Sequence, residues 1–370
     1  MAKSAHSEPA SILTNKSWDF LKRYIDNPSP VGFESSGQKL WLDYLRPYVD
    51  SYFTDPYGTA VGVVNPDAPF KVVIEAHADE ISWFVNYMTA EGLLYLKRNG
   101  GVDHQIAPGM RVFIHGKKGP VPAVFGWPAI HTRLGNPDTK EPHPKVDSLF
   151  LDTGARSKKE LEDLGVHIGA VVTYQDGYAE LGYDYLIGRA FDNRIGGFMI
   201  AEVARLLKEH KKKLPYGLYV VNAVQEEVGL RGAEMIARRI RPNIAIITDV
   251  THDTTTPMIN KMVEGDIACG KGPSLAFGPA VHNKLLAIVQ DTAAKHGLPV
   301  QMRAVSRSTG TDTDSFAYAN DGCPSVLISI PLRYMHTTVE MLHRKDVEQT
   351  IRLMYESLLT LTPKTNLKYL

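Results

Sequence analysis

Apolar residues return at intervals of three and four along residues 12–24, 37–48 and 195–210, the spacing of helices that bury one face. Between the first two stands Asn27-Pro-Ser-Pro-Val-Gly, a run of helix breakers that predicts a loop. A second pattern, short and almost continuously apolar with many β-branched residues, marks 60–64, 71–75, 218–224, 244–248 and 325–330. Such runs predict strands covered by helices on both faces, as in the sheet of an α/β fold. A last amphipathic helix is expected over 339–361, a stretch without proline.

The texture changes between about 82 and 185. Short strand-like pieces such as 110–115 and 169–174 are broken by glycine, proline and turn pairs, and only 157–164 looks clearly helical. This predicts a small all-β module inserted into an α/β domain. The division is then 10–81 and 186–370 for the two halves of that domain, and 82–185 for the insert. Residues 129–145 read as a long exposed loop, and the basic run Lys211-Lys-Lys as a solvated helix end.

Composition narrows the classes. The chain has 370 residues, 44% hydrophobic and 22% charged, with 41 basic side chains against 41 acidic ones. That length suits more than one core, and the balance of charge speaks against a protein that coats nucleic acid. Two cysteines, Cys269 and Cys323, are too few for a disulfide framework. No run reaches the roughly 18 apolar residues of a membrane span, and residues 1–9 are polar, unlike a secretory leader. A cytoplasmic protein with no nucleic-acid or membrane partner is expected. Gly-rich stretches such as 265–278 lack the spacings of nucleotide-binding loops.

The chemistry lies just beyond the apolar runs. The 71–75 strand leads to His77-Ala-Asp79, the 218–224 strand to Gln225-Glu226-Glu227, the 244–248 strand to Asp249, and the 325–330 strand to Pro-Leu-Arg-Tyr-Met-His336. Ligand crevices of open α/β sheets form at the carboxyl ends of strands, so four strands deliver metal-type ligands to one edge. Asp192 opens the helix of Phe191-Asp-Asn-Arg-Ile-Gly-Gly, where an N-cap is its ordinary alternative. Imidazole with carboxylate and no thiolate suits zinc, cobalt or manganese. Two cations held close need a carboxylate between them, and Asp192 is the expected bridge. His77 and Asp249 would complete one cation, Glu227 and His336 the other. Asp79 would fix the His77 ring, and Glu226 would be the general base acting on a bridging water.

At these residues the chain resembles the tetrahedral-aminopeptidase family, dinuclear metallo-aminopeptidases that include glutamyl and deblocking aminopeptidases. The resemblance rests on His77-Ala-Asp-Glu-Ile, Arg189-Ala-Phe-Asp-Asn-Arg-Ile-Gly, Gln225-Glu-Glu-Val-Gly-Leu-Arg-Gly-Ala, Thr248-Asp-Val-Thr-His-Asp and Ile330-Pro-Leu-Arg-Tyr-Met-His. It implies metal ligands His77, Asp192, Glu227, Asp249 and His336, with Glu226 as catalytic base and Asp79 orienting His77. It further implies a three-layer, zinc-exopeptidase-like α/β catalytic domain with two divalent ions per chain, zinc or cobalt first. The insert becomes a PDZ-like dimerisation domain, with dimers that go on to a tetrahedral dodecamer. Ser82-Trp-Phe, Thr337-Thr-Val-Glu340 and Ser308-Thr-Gly-Thr-Asp-Thr-Asp-Ser depart from the family's usual residues, which bears on pocket shape and not on the ligands.

The expected reaction is removal of the N-terminal residue from short peptides. A carboxypeptidase-like or N-acyl deacylase enzyme is the first alternative and would need a cationic pocket, for which Arg307 and Arg333 are candidates. A glucanase would need two carboxylates flanking the bond and no metal. A non-catalytic assembly protein would have lost ligands that are all present here. The loops 253–265 and 306–314 are expected to wall the substrate pocket.

Overall fold

A computed structural model describes residues 11–133 and 143–370. The polar residues 1–9, and residues 134–142 of the expected 129–145 loop, lie outside the described residues.

An eight-stranded mixed sheet runs in the order Ser51–Thr54, Ala60–Val64, Gly217–Ala223, Lys71–His77, Ile244–His252, Ser325–Leu332, Ser274–Phe277, Gln301–Ala304. Four central strands, from Gly217–Ala223 to Ser325–Leu332, are mutually parallel, and the outer strands add antiparallel pairs. The five runs read from sequence are all strands, and three reach further than their apolar cores suggest. The Lys71–His77 strand includes His77, the Ile244–His252 strand runs past Asp249, and the Ser325–Leu332 strand ends two residues late. Polar side chains at their carboxyl ends stay in the ladder because neighbouring strands pair there.

Helices Asn15–Asp26, Ser35–Leu45, Phe191–Glu209 and Arg344–Thr360 fall on the predicted spacings. Thr14 and Ser17 form a capping box that fixes the start of the first helix. The Phe191–Glu209 helix is buried along nearly its whole length and packs on the Lys71–His77 strand. The last helix begins at Arg344 and not at 339, since Glu340–His343 pairs as a strand with Tyr185–Gly188. His343 then caps the helix by accepting from the Lys345 N–H.

Residues 82–174 contain a closed six-stranded barrel, in the order Ser82–Met88, Leu93–Asn99, Phe150–Asp152, Gly119–Phe125, Arg111–Gly116, Val171–Tyr174. It has its own core around Trp83, Leu94, Val112, Phe125 and Leu151. Residues 179–188 leave the barrel for a three-stranded sheet with Glu340–His343. Cys269 and Cys323 are buried and unbridged. Among the described residues, no helix is long and apolar enough to cross a membrane.

Candidate metal centre

Sheet register builds the site. Ile247 lies opposite Glu75 on adjacent parallel strands, so two residues on, Asp249 is level with His77 and on the same face. His77 also lies opposite Ala223, and the chain beyond that strand turns through a short 3₁₀ segment at Glu226–Val228. Gln225 and Leu230, both with positive φ, bracket this turn and swing two carboxylates back over the sheet edge.

Asp192 sits between the two imidazoles. Its Oδ1 is 3.2 Å from His77 Nε2, and its Oδ2 is 3.2 Å from His336 Nε2. Glu227 Oε1 lies 3.4 Å from His336 Nε2, whereas Asp249 Oδ1 and Glu226 Oε2 each lie 3.9 Å from His77 Nε2. The potential ligand atoms fall into sets His77–Asp192–Asp249, Asp192–Glu227–His336 and His77–Glu226–Glu227, each set within 4.8 Å. The first two share Asp192, which offers one oxygen to each. His77, Asp192 and Asp249 are buried, while Glu226, Glu227 and His336 are half-buried around a cavity of about 300 Å³. A larger cavity, about 450 Å³, lies between the Pro28–Ser36 loop and the barrel and contains none of these groups.

The donor set fits divalent cations. Four carboxylates meet two imidazoles with no lysine or arginine ion-paired to them among the described residues, which is costly unless positive charge is supplied. The electrostatics carry that cost. Burial, with Asp312, Asp249 and Glu227 adding to it against His77, drives the Glu226 carboxyl far above its ordinary range. Burial raises Glu227 as well, and Asp249 to about 7. Burial also pushes Asp192 up, but its hydrogen bonds to His336 and His77 outweigh that and hold it low. Burial lowers His336, yet Asp192 and Glu227 raise it on balance to about 11. Without cations the cluster therefore takes up protons where ligand atoms should be bare.

Surrounding groups hold this geometry. Asp79 accepts from the backbone N–H groups of Glu226 and Glu227, at 3.0 and 3.1 Å, and so pins the acidic turn. Its contact with His77 Nδ1 is longer, 3.4 Å, and is not a well-formed hydrogen bond. Asp192 is not a helix cap, because the regular helix starts only after Asn193, whose Oδ1 accepts from the Gly196 N–H. That frees the Asp192 carboxylate for the site. Asn193 Nδ2 also donates to the Thr248 carbonyl, tying this corner to the strand of Asp249.

Sequence reasoning missed Glu340. It is buried, and its carboxylate accepts from the backbone N–H groups of both Asp192 and His336. Its signal in the sequence is its place four residues after His336, but the amphipathic pattern from 339 predicts helix where the structure has a strand. Glu75 and Asp312 were missed too; they lie buried beneath His77, and burial lifts Glu75 to about 8. Of the expected pocket walls, Thr309, Gly310 and Thr311 line the cavity, and none of 253–265 is among its lining residues. Neither Arg307 nor Arg333 lines it: Arg333 is paired with Asp253 at 2.8 Å. The guanidinium that does line it belongs to Arg303.

The M42 glutamyl aminopeptidase family matches residues 58–353. The lysyl aminopeptidase of Pyrococcus furiosus is 32% identical over 349 residues, which cover 94% of this chain and 98% of that one. The glutamyl aminopeptidase of Lactococcus lactis subsp. cremoris is 27% identical over 331 residues, 86% of this chain and 89% of that one. Among solved structures, the TET aminopeptidase of Thaumarchaeota archaeon SCGC AB-539-E09 superposes with a TM-score of 0.90 at 30% identity, covering 95% and 98% of the two chains. The TET1 peptidase of Pyrococcus horikoshii, described as assembling into a tetrahedron or a large octahedral shell, gives 0.81 at 26% identity, with 92% and 98% covered.

Proposed function

The chain belongs to the M42 glutamyl aminopeptidase family, is a peptide hydrolase, and from that premise we propose that it removes the N-terminal residue of short peptides with two divalent ions per chain. The observation that carries the reading is Asp192, which presents one oxygen to each of two sets of ligand atoms. On this reading His77 and Asp249 would hold one ion and Glu227 and His336 the other, with Asp192 contributing a carboxylate oxygen to each. Zinc and cobalt suit nitrogen and oxygen donors of this kind.

When bound, such ions polarise the scissile carbonyl and make an attacking water more acidic. This chain's residues do the rest. Glu226, half-buried at the cavity wall, takes the proton of the attacking water and returns it to the leaving amine. Asp79 fixes Glu226 and Glu227 through their backbone, and Glu340 does the same for Asp192 and His336.

We further read the fold as a three-layer catalytic domain, 10–81 and 186–370, around an inserted PDZ-like module, 82–185. The closed barrel supports the last element, and dimerisation is the role we assign to it. The tetrahedral assembly of the TET1 relative supports dimers that go on to a dodecamer, which a sedimentation measurement would detect. Two unbridged cysteines agree with a cytoplasmic setting. The relatives' names, lysyl and glutamyl, differ on the N-terminal residue, so preference is not inherited from them.

The test is hydrolysis of aminoacyl anilides by metal-loaded wild type and Glu226→Gln, with metal content measured in both. A fall of about 10²–10⁴-fold in kcat, with two ions per chain retained, is expected for loss of a general base. Equal rates would remove Glu226 as the base. No cleavage of any anilide by the loaded wild type would overturn the aminopeptidase reading.

A further inference from the structure

The cavity of about 450 Å³ between the Pro28–Ser36 loop and the barrel is larger than the one at the metal centre, and the proposed reaction makes no use of it. Much of its lining is apolar: Phe33 of the loop, with Phe113, Pro120 and Val171 of the barrel. Its carboxylate is Asp26 and its guanidinium Arg189. Neither charge is fully matched. Asp26 is the last residue of the helix Asn15–Asp26, where the helix dipole disfavours an anion, and no lysine or arginine is ion-paired to it among the described residues. Its Oδ1 accepts from the Tyr178 N–H at 2.8 Å, which leaves Oδ2 for another donor. Arg189 is buried and paired with Glu80, but that carboxylate also faces Arg194 at 3.7 Å, so two guanidinium groups share one anion. Arg189 Nη2 donates to the Asp26 carbonyl at 3.3 Å, which sets the positive group beside the negative one without an ion pair between them.

We infer that this cavity is a second small-molecule site, that it takes a free amino acid with an apolar side chain, and that Arg189 passes its occupancy to the metal centre. The two unmatched charges suit a zwitterion. Its ammonium meets Asp26 Oδ2, its carboxylate takes N–H groups that Arg189 has to spare, and its side chain lies among Phe33, Phe113 and Pro120. An acidic or basic side chain would set a further charge against phenyl and proline rings that return no hydrogen bond. The volume lies within the range of small-molecule sites, which favour boundaries between parts of a fold. The source of the ligand rests on the aminopeptidase reading above, whose reaction releases free amino acids. Two short paths lead from the cavity to the ligands: Arg189 stands three residues before Asp192, and Glu80 three after His77. Arg189 and Tyr174 also line a water-sized pocket, about 10 Å³, whose other walls include Asp192, Glu227 and His336. A carboxylate that draws Arg189 from Glu80 therefore pulls on the segment that carries Asp192.

Calorimetry on metal-loaded and metal-stripped protein tests the site, since stripping removes the hold of the metal centre on an amino acid and leaves the cavity. L-Phenylalanine and L-leucine are expected to bind the stripped protein at one site per chain, and L-glutamate and L-lysine about tenfold more weakly or worse. The same ammonium could come from the N-terminus of a peptide, which phenylalanine amide imitates by lacking the free carboxylate. The amide, and 3-phenylpropionate, which lacks the amine, should each bind about 10–100-fold more weakly than L-phenylalanine, the loss of one charge-assisted group. Asp26→Asn should weaken L-phenylalanine by a similar factor, and Phe113→Trp, which fills the cavity, should abolish its binding to the stripped protein. In turnover of Leu-p-nitroanilide, saturating L-phenylalanine should lower the kcat of wild type by about fivefold or more, and the kcat of Phe113→Trp should no longer respond. Absence of binding to the stripped protein, or binding unchanged in Phe113→Trp, overturns the site. An amide that binds as tightly as the free acid overturns the free amino acid as its ligand. Binding that leaves kcat unmoved overturns the role of Arg189. If loaded wild type cleaves no anilide, the aminopeptidase reading fails, and calorimetry still decides the cavity.

Discussion

The central sheet and the barrel bury their strands in different ways. Lys71–His77, Ile244–His252 and Ser325–Leu332 are buried at almost every position, so both their faces are covered. Barrel strands such as Gly119–Phe125 alternate instead, one side inward and the other toward solvent. In a strand covered on both faces, polar side chains gather at its end, and that is where His77 and Asp249 stand. The barrel has a whole outer face for polar groups and concentrates none of the ligands. Among the described residues it approaches the site at the Gly100–Gly101 turn, which lies against Glu227 and His336. One region therefore supplies the chemistry and the other supplies packing, a contrast that substitutions can break.

The largest effect is expected in the sheet-edge cluster. Asp192→Ala removes the carboxylate shared by two imidazoles and leaves each proposed ion with fewer donors. Loss of about 10³-fold or more in kcat/KM is expected, since the chemistry the ions supply is worth several kcal/mol. Metal content per chain, measured by plasma emission, should fall with it; full metal content with full activity would break the assignment. In the wild type, metal affinity should rise with pH, because the protonated imidazole of His77 or His336 excludes a cation and both are held protonated by their carboxylate neighbours.

The barrel's core should matter for stability and little for the ligands. Trp83 is fully buried there, edge-on to Phe125 with ring centroids 5.5 Å apart. Trp83→Ala should cost about 3–5 kcal/mol, the usual range for a large aromatic in a packed core. Hydrogen exchange should quicken across residues 82–174 and stay slow in the Lys71–His77 strand. Equal loosening of both would show that the two regions unfold as one unit.

The same contrast explains what could be read from the sequence. Strands covered on both faces announce themselves as apolar runs, and the residue types just past them exposed His77, Glu226, Glu227, Asp249 and His336 as a group. Arg303 stayed hidden because Gln301–Ala304 is a short edge strand whose burial alternates, with no apolar run to flag it. Glu340 stayed hidden because an amphipathic pattern continued smoothly from 339 into the last helix. Only the pairing with Tyr185–Gly188, a contact distant in sequence, makes 340–343 a strand. Asp79 was found, but its firmer bonds go to a backbone turn whose path depends on positive-φ residues that composition does not reveal.

The smallest effect is the most informative about the boundary between the regions. A Cβ added at Gly101 would come within 2.9 Å of His336 Cε1 and Nδ1, closer than carbon atoms pack. Gly101 is not among the glycines with positive φ, so alanine there is free of the backbone strain that would confuse the result at Gly100, where φ is +88°. The Gly101 carbonyl also lies 3.2 Å from His336 Nδ1, positioned to accept its N–H and leave Nε2 toward Asp192 and Glu227. Gly101→Ala must therefore shift the ring, and its effect falls on one ligand from the barrel side. Weakening of metal binding by about 10–100-fold is expected, the range for disturbing a group that orients a ligand. Titration calorimetry would measure it, and a changed visible spectrum of the cobalt-loaded protein would place it at a ligand. The melting temperature of the metal-free protein should move little. Unaltered affinity and spectrum would mean that the barrel only leans on the site; a weakened site in an otherwise stable protein would make the barrel part of how His336 is aimed.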